Sequence, residues 1–242
     1  MKQSYIKIFS RIIYIFAVTT TGYLSASAKP NRLSIAKAVI SNIDYIPFSS
    51  KTDGCYARAL YMGMELAIHG IPSSNQYIFG SLKPTPKISW RYHVAPLVEV
   101  GGHLKYAIFD PSFASTPLSR GKWIRMNKPK GSSEIYVSPP SHYKKTKVQR
   151  LSQQRKKGYG LKSLVKKVKS TPLYDIRNIA DACRTAWNHI GKERSLTAYQ
   201  RSQKRSKLNK RTSYLVHRLK ELNILKEGAY VASCKKGTHI FR

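Results

Sequence analysis

The sequence predicts an α+β fold, with an antiparallel sheet packed on a cysteine-bearing helix and a basic, mainly helical C-terminal region. Three observations carry this. Tyr92 to Asp110 holds two apolar runs joined by Gly101-Gly102, the pattern of a β-hairpin whose turn needs positive φ. Cys55 to Ile68 is an apolar, alanine-containing run that stops at Gly70, the pattern of a buried helix. Beyond residue 146, Ile176, Ile179, Ala180, Cys183, Ala186, Trp187 and Ile190 recur at helical spacing, as do Leu215, Leu219 and Leu222 within Tyr214 to Leu225.

The hairpin also carries the first candidate chemistry. If Val100 faces His103 across the turn, paired residue numbers sum to 203 and His93 pairs with Asp110. Opposed residues share a face, with Cβ atoms about 5 Å apart, so the carboxylate would fix the imidazole tautomer and stabilise the imidazolium. The plainer reading is a hairpin whose polar ends reach solvent. Pro96 has no N–H, which predicts an edge strand or a bulge there.

A His–Asp pair needs a nucleophile, and Cys55 is the candidate. With Thr52 or Asp53 as N-cap it would sit in the first helical turn, where the helix dipole and unpaired N–H groups favour a thiolate and can hold an oxyanion. The plainer reading is a small buried hydrophobe.

At these residues the sequence resembles a known family. Ile46-Pro47-Phe48, Asp53-Gly54-Cys55-Tyr56-Ala57-Arg58-Ala59, Ser89-Trp90-Arg91-Tyr92-His93-Val94-Ala95 and Asp110-Pro111-Ser112 are similar to bacterial protein-glutaminases (protein-glutamine deamidases), with an echo in Tyr136-Val137-Ser138-Pro139. The resemblance implies a transglutaminase/papain-like core with Cys55 as nucleophile, His93 as base and acid, and Asp110 as orienting carboxylate. It implies deamidation of protein-bound glutamine to glutamate through a cysteine thioester, with no cofactor and no metal. A transglutaminase, or a cysteine peptidase or amidase, would use the same residues. A non-catalytic basic anion-binding protein is the remaining alternative.

The rest of the chain sets the context. Lys2, Lys7 and Arg11, the apolar run from Ile12, and Ala26-Ser27-Ala28 read as a signal peptide over residues 1–28, cleaved near Ala28. The expected address is therefore secreted or periplasmic, with delivery as an effector compatible. Residues 29–145 form the expected catalytic domain and residues 146–242 the basic region. Arg32 to Ile43 reads as a short helix, Gln76 to Gly80 as a short strand, Ser81 to Lys87 as a loop, Lys128 to Ser133 as a linker-like turn and Gly228 to Ser233 as a strand. Trp90 and Tyr92 are either core residues or the walls of a substrate cleft.

Of the three cysteines, Cys55, Cys183 and Cys234, an exported chain leaves one unpaired; Cys183–Cys234 with Cys55 free is the economical assignment, although spacing alone does not determine pairing. No CxxC pair occurs, which argues against a structural zinc site. The formal net charge of +33 demands anionic surroundings of some kind. Residues 147–242 hold 25 lysines and arginines against 5 aspartates and glutamates, about +20 of that charge. Either this is a solvated basic face, or it binds nucleic acid, an anionic membrane or an acidic protein in a salt-dependent way. The expected substrates are glutamine-containing proteins and the expected state is a monomer.

Overall fold

The computed structural model describes residues 31–48, 54–101, 104–140, 174–226, 230–235 and 237–239. The expected signal peptide and Thr52 and Asp53 lie outside them, as do Gly102 and His103 of the predicted turn. The element order is α1 (Arg32–Ser41), α2 (Cys55–Ile68), β1 (Ser73–Thr85), β2 (Ile88–Gly101), β3 (Lys105–Ile108), α3 (Arg120–Asn127), β4 (Pro129–Ser138), β5 (Tyr174–Asp175), α4 (Ile176–Lys192), α5 (Ala198–Glu221), β6 (Leu225–Lys226), β7 (Tyr230–Ser233) and β8 (Gly237–His239). The main sheet is antiparallel with strand order β3-β2-β1-β4, so helices and an antiparallel sheet combine as the patterning predicts.

Helix α2 is the centre of the molecule. Ten of its consecutive residues, Ala57 to Leu66, are buried, which leaves it no polar face. One side meets the sheet through Val98, Ala107 and Phe109; the others meet α1, α4 and α5 through Ala36, Ile40, Ile179, Ala182, Leu215 and Leu219. A second core lies on the opposite face of the sheet, where Ile78, Leu82, Ala95, Leu97 and Ile108 pack on Leu118 and Trp123. Leu97 and Val98 thus point into different cores, as the apolar character of both hairpin faces requires.

A helix buried all round must neutralise any charge it carries. Glu65 is 3% exposed. Its carboxylate accepts from Tyr45 Oη at 2.5 Å, and from Arg211 Nε at 2.7 Å and Nη2 at 2.5 Å. This bidentate pair joins α2 to α5, and Tyr61 Oη meets Thr212 Oγ1 at 2.6 Å one turn away. Helix α4 is fixed by Asp175, whose side chain caps Arg177 N–H at 2.8 Å. A disulfide joins Cys183 of α4 to Cys234, leaving Cys55 as the free thiol among the described residues, the assignment favoured on economy.

Four expectations need correction. The predicted 81–87 loop is mostly strand: β1 runs to Thr85 and turns into β2 through Pro86-Lys87. Two bulges, at Gly80-Ser81 and Lys83-Pro84, insert extra residues into β1, break its alternation and accommodate Pro84. The predicted linker-like turn 128–133 largely belongs to β4, paired to β1 at Leu82↔Pro129 and Ser81↔Lys130. Helix α5 begins at Ala198, far ahead of Tyr214, and ends before Leu225, which pairs in β6. Lastly, the β2–β3 register is Leu97↔Ile108, Val98↔Ala107 and Glu99↔Tyr106, so paired numbers sum to 205, with an extra residue at Val100.

A fifth correction concerns Pro96, expected at an edge or a bulge: it sits in central strand β2 without a register shift, because β3 stops beside it, Pro96 O accepts from Phe109 N at 3.1 Å, and the missing N–H faces the point where the ladder ends.

Replacing Glu65 by alanine strands the Arg211 guanidinium and the Tyr45 hydroxyl against an apolar helix. Loss of one partner from such a pair costs about 3 kcal/mol, which urea unfolding of Glu65→Ala should show as an earlier midpoint with an unchanged slope.

Candidate active site

The two-residue difference in register preserves parity. Continued past Ile108, it sets Asp110 beside Ala95, and Ala95 shares a strand face with His93. Asp110 is therefore a diagonal neighbour of His93, still within side-chain reach. His93 Nε2 lies 2.7 Å from Asp110 Oδ2, with both side chains buried. Asp110 receives two further donors: Trp123 Nε1–H at 2.8 Å on Oδ2 and the Ser112 N–H at 3.2 Å on Oδ1. The carboxylate holds Nε2 as the donor, and the Cys55 side chain also interacts with the His93 ring.

Cys55 is the first residue of α2. Its N-cap is Gly54, at φ +86°, and the cap supplies no side-chain acceptor to the first helical N–H groups. The backbone conformation calls for glycine there. The left-handed backbone disfavours other residues, while His189 and Thr185, both from α4, lie at ordinary contact distance, 3.4 and 3.5 Å from where a Cβ would sit. Thr185 Oγ1 also lies 3.2 Å from Tyr56 Oη. Residues from beyond position 174 thus border the start of the cysteine helix.

The imidazole is enclosed by rings. Trp90 stacks on it at 4.7 Å between centroids, Trp123 at 5.5 Å, and Phe113 stands edge-on at 5.2 Å. Trp90 is thus a wall of the His93 pocket, whereas Tyr92 stacks on Phe79 at 5.8 Å. Burial, the largest influence on His93, disfavours its charged form. The Asp110 carboxylate and Cys55 together outweigh burial and carry the imidazole from 6.5 up to about 9. Burial pushes Asp110 upward as well, but His93, the Trp123 N–H and the nearby Arg58 guanidinium hold it below the usual 3.8. Environment thus favours an imidazolium beside a carboxylate at neutral pH.

Trp123 went unnoticed in the sequence because nothing local distinguishes it from a core tryptophan. Its placement comes from several ties. Ser119 caps α3, Ile108 and Leu118 exchange backbone hydrogen bonds at 2.8 and 2.9 Å, Arg120 Nε donates to Gln76 Oε1 at 2.9 Å, and Asn127 Nδ2 donates to the Trp123 carbonyl at 2.8 Å. Gln76 is fully buried and donates in turn to Tyr136 O at 2.9 Å. Among the described residues, no group of three or more histidine, cysteine or acidic side chains could hold a metal ion.

Residues 28–127 match a protein-family model described as glutaminase. The matched segment, less than half of the chain, is similar to that glutaminase family. It contains Cys55, His93, Asp110 and Trp123, and it ends at the last residue of α3. Among solved structures, the chain is similar to the NMR structure of protein-glutaminase from Chryseobacterium proteolyticum, with 25% identity, TM-score 0.42, and coverage of 48% of this chain and 75% of that one. A crystal structure of protein-glutaminase matches at 28% identity and TM-score 0.41, covering 46% of this chain and 72% of that one. A crystal structure of pro-protein-glutaminase matches at 27% identity and TM-score 0.39, covering 47% of each chain. No curated protein matches. The matched segment includes α1 but ends before α4 and α5, the other two helices that pack on α2.

Two outcomes follow for the His93–Asp110 pair. With its folded pKa raised to about 9, His93 contributes stability that is complete below pH 6.5 and is lost as pH rises through 9. Urea unfolding at pH 6 and pH 9.5 should therefore show wild type losing stability with pH, and Asp110→Asn, lacking the carboxylate that raises the imidazole, losing less. Trp123→Phe removes one hydrogen bond to a charged group, an interaction worth about 1.5–3 kcal/mol. It should lower kcat roughly tenfold or more and displace the alkaline limb of the pH profile, a shift that loss of packing alone would not cause.

Proposed function

We propose that this protein is a protein-glutamine deamidase that hydrolyses the side-chain amide of protein-bound glutamine through a Cys55 thioester. The observation that carries the reading is the buried His93–Asp110 pair with Cys55 as its third member, inside a segment that matches a glutaminase family. The thiolate of Cys55 attacks the carboxamide carbon, and the imidazolium of His93 gives its proton to the nitrogen. The C–N bond breaks, ammonia leaves, and a γ-glutamyl thioester remains. Neutral His93 then takes a proton from water, whose oxygen attacks the thioester. The C–S bond breaks, releasing glutamate and restoring the thiolate–imidazolium pair. Asp110 orients the imidazole and offsets its charge throughout. The negative oxygen of each tetrahedral intermediate falls at the N-terminus of α2, where the Cys55 N–H is the nearest donor and Gly54 places no side chain in competition.

The core, on this reading, is transglutaminase-like, with the cysteine helix packed on the sheet that carries histidine and aspartate. Export after cleavage near Ala28 is part of the same proposal, and the Cys183–Cys234 disulfide supports an oxidising destination. Binding of an anionic partner by residues 147–242 is a further proposal for the described part of that region. It must reckon with α5 cations already engaged by other residues of the chain: Arg211 with Glu65, Lys204 with Glu193, Lys207 with Asp44 and Arg205 with the Trp187 ring.

Incubated with casein, the wild-type protein should release ammonia and convert glutamine to glutamate, a gain of about one dalton per site. Cys55→Ala should abolish release, and His93→Ala should lower it by at least a hundredfold, the scale of a lost general acid–base. Cross-linked or amine-labelled product in place of glutamate would make the protein a transglutaminase. Cleaved peptide bonds without ammonia would make it a peptidase.

A further inference from the structure

The distal end of the sheet carries a second recognition feature. Lys83, Lys87, Arg91, Lys128 and Lys130 are all exposed there. The Lys83 N–H donates to the Lys128 carbonyl at 3.2 Å, Ser81 lies opposite Lys130, and Leu82 lies opposite both Pro129 and Trp90, so these cations surround one short stretch of β1. Among the described residues no ion pair joins any of them to a carboxylate, in contrast to the cations of α5. From residue 73 to 138 the only acids are Glu99, Asp110 and Glu134. Asp110 bonds to His93, and Glu134 accepts from Tyr136 Oη.

A run of rings leads from the nucleophile to this end. Tyr77 and Phe79 pack with Cys55 in one apolar cluster, whose margin is formed by the partly exposed Tyr92 and Tyr136. Tyr77 stacks on Phe79 at 5.7 Å, and Phe79 meets Tyr92 at 5.8 Å and Tyr136 at 5.7 Å. Tyr77 lies opposite Val94 and Leu82 opposite Trp90, so with the bulge between them the run covers about four extended residues of β2, roughly 13 Å. A substrate segment of about four residues therefore spans the distance from the rings beside the thiol to the cations.

We infer that this basic rim docks acidic residues lying about three to six positions from the target glutamine, so that the protein selects glutamines in acidic protein segments. The inference rests on the deamidase reading and names the substrate class of that site. Protein is favoured over nucleic acid because the cations lie at the end of the run of rings that begins beside Cys55.

The test compares two end-blocked glutamine peptides, one with glutamates three to six positions away on either side and one with serines there. An exposed ion pair contributes a few-fold at most, and several together about tenfold. Wild type should show kcat/KM about tenfold higher on the acidic peptide at low salt, expressed in KM, with the preference gone at 0.5 M salt, where screening is strong. The combined variant Lys83→Gln, Lys87→Gln, Arg91→Gln, Lys130→Gln should lose that preference and keep wild-type kinetics on the serine peptide. Lys87→Glu, in the turn, tests the same point with a single surface change and should lower the preference alone. Equal kinetics on both peptides for wild type, or a preference that survives both variants, overturns the inference. So does loss of oligonucleotide binding in the combined variant with peptide kinetics unchanged, which would assign the rim to nucleic acid. Ammonia from neither peptide overturns the deamidase reading itself.

Discussion

Burial of helix α2 on every side is the constraint on which the rest of the molecule depends. A helix with no solvated face can sit only between other elements, and each of its polar groups then needs a partner. Much of the architecture follows. The sheet covers one side, α1, α4 and α5 cover the rest, and Glu65 requires Arg211 and Tyr45. Burial also fixes the first turn of the helix, and with it Cys55, to a small fraction of the freedom that a surface helix end would have.

The same low-dielectric setting gives the His93–Asp110 pair its properties. In water an imidazole and a carboxylate attract weakly; enclosed by Trp90, Phe113 and Trp123, they interact strongly enough, together with Cys55, to outweigh the desolvation that would otherwise neutralise the ring. Trp123 contributes twice, through its face to His93 and through its N–H to Asp110. The rings are therefore part of the electrostatics of the site as much as of its packing.

What the sequence made legible follows from where each signal resides. Strand parity survives a two-residue error in register, so the proximity of His93 and Asp110 was readable although their direct pairing was wrong. The start of α2 was readable to within a residue or two, but a glycine cap cannot be told from a turn glycine without the left-handed backbone angle that Gly54 adopts. The extent of β1 was hidden by Pro84 and Pro86, since a bulge that tolerates proline looks, locally, like a loop. The first half of α5 was hidden by its composition: from Ala198 to Lys207 it buries no apolar residue, and its only local signal is the Thr197–Gln200 capping box. Trp123 depends on contacts between α3 and the strand end, which no local pattern encodes.

The division of labour along the chain has a consequence for anyone seeking a minimal catalyst. Cys55, His93, Asp110 and Trp123 all precede residue 128, so a fragment ending near residue 140 would contain every atom of the proposed chemistry. It would also expose the flank of α2 that Leu215, Leu219, Ile179 and Ala182 cover, and it would leave Glu65 without Arg211. Such a fragment would be complete as a list of reactive groups and deficient as an object that holds them. The boundary suitable for expression or for grafting this activity elsewhere is set by whatever hides the helix, and that includes α4 and α5.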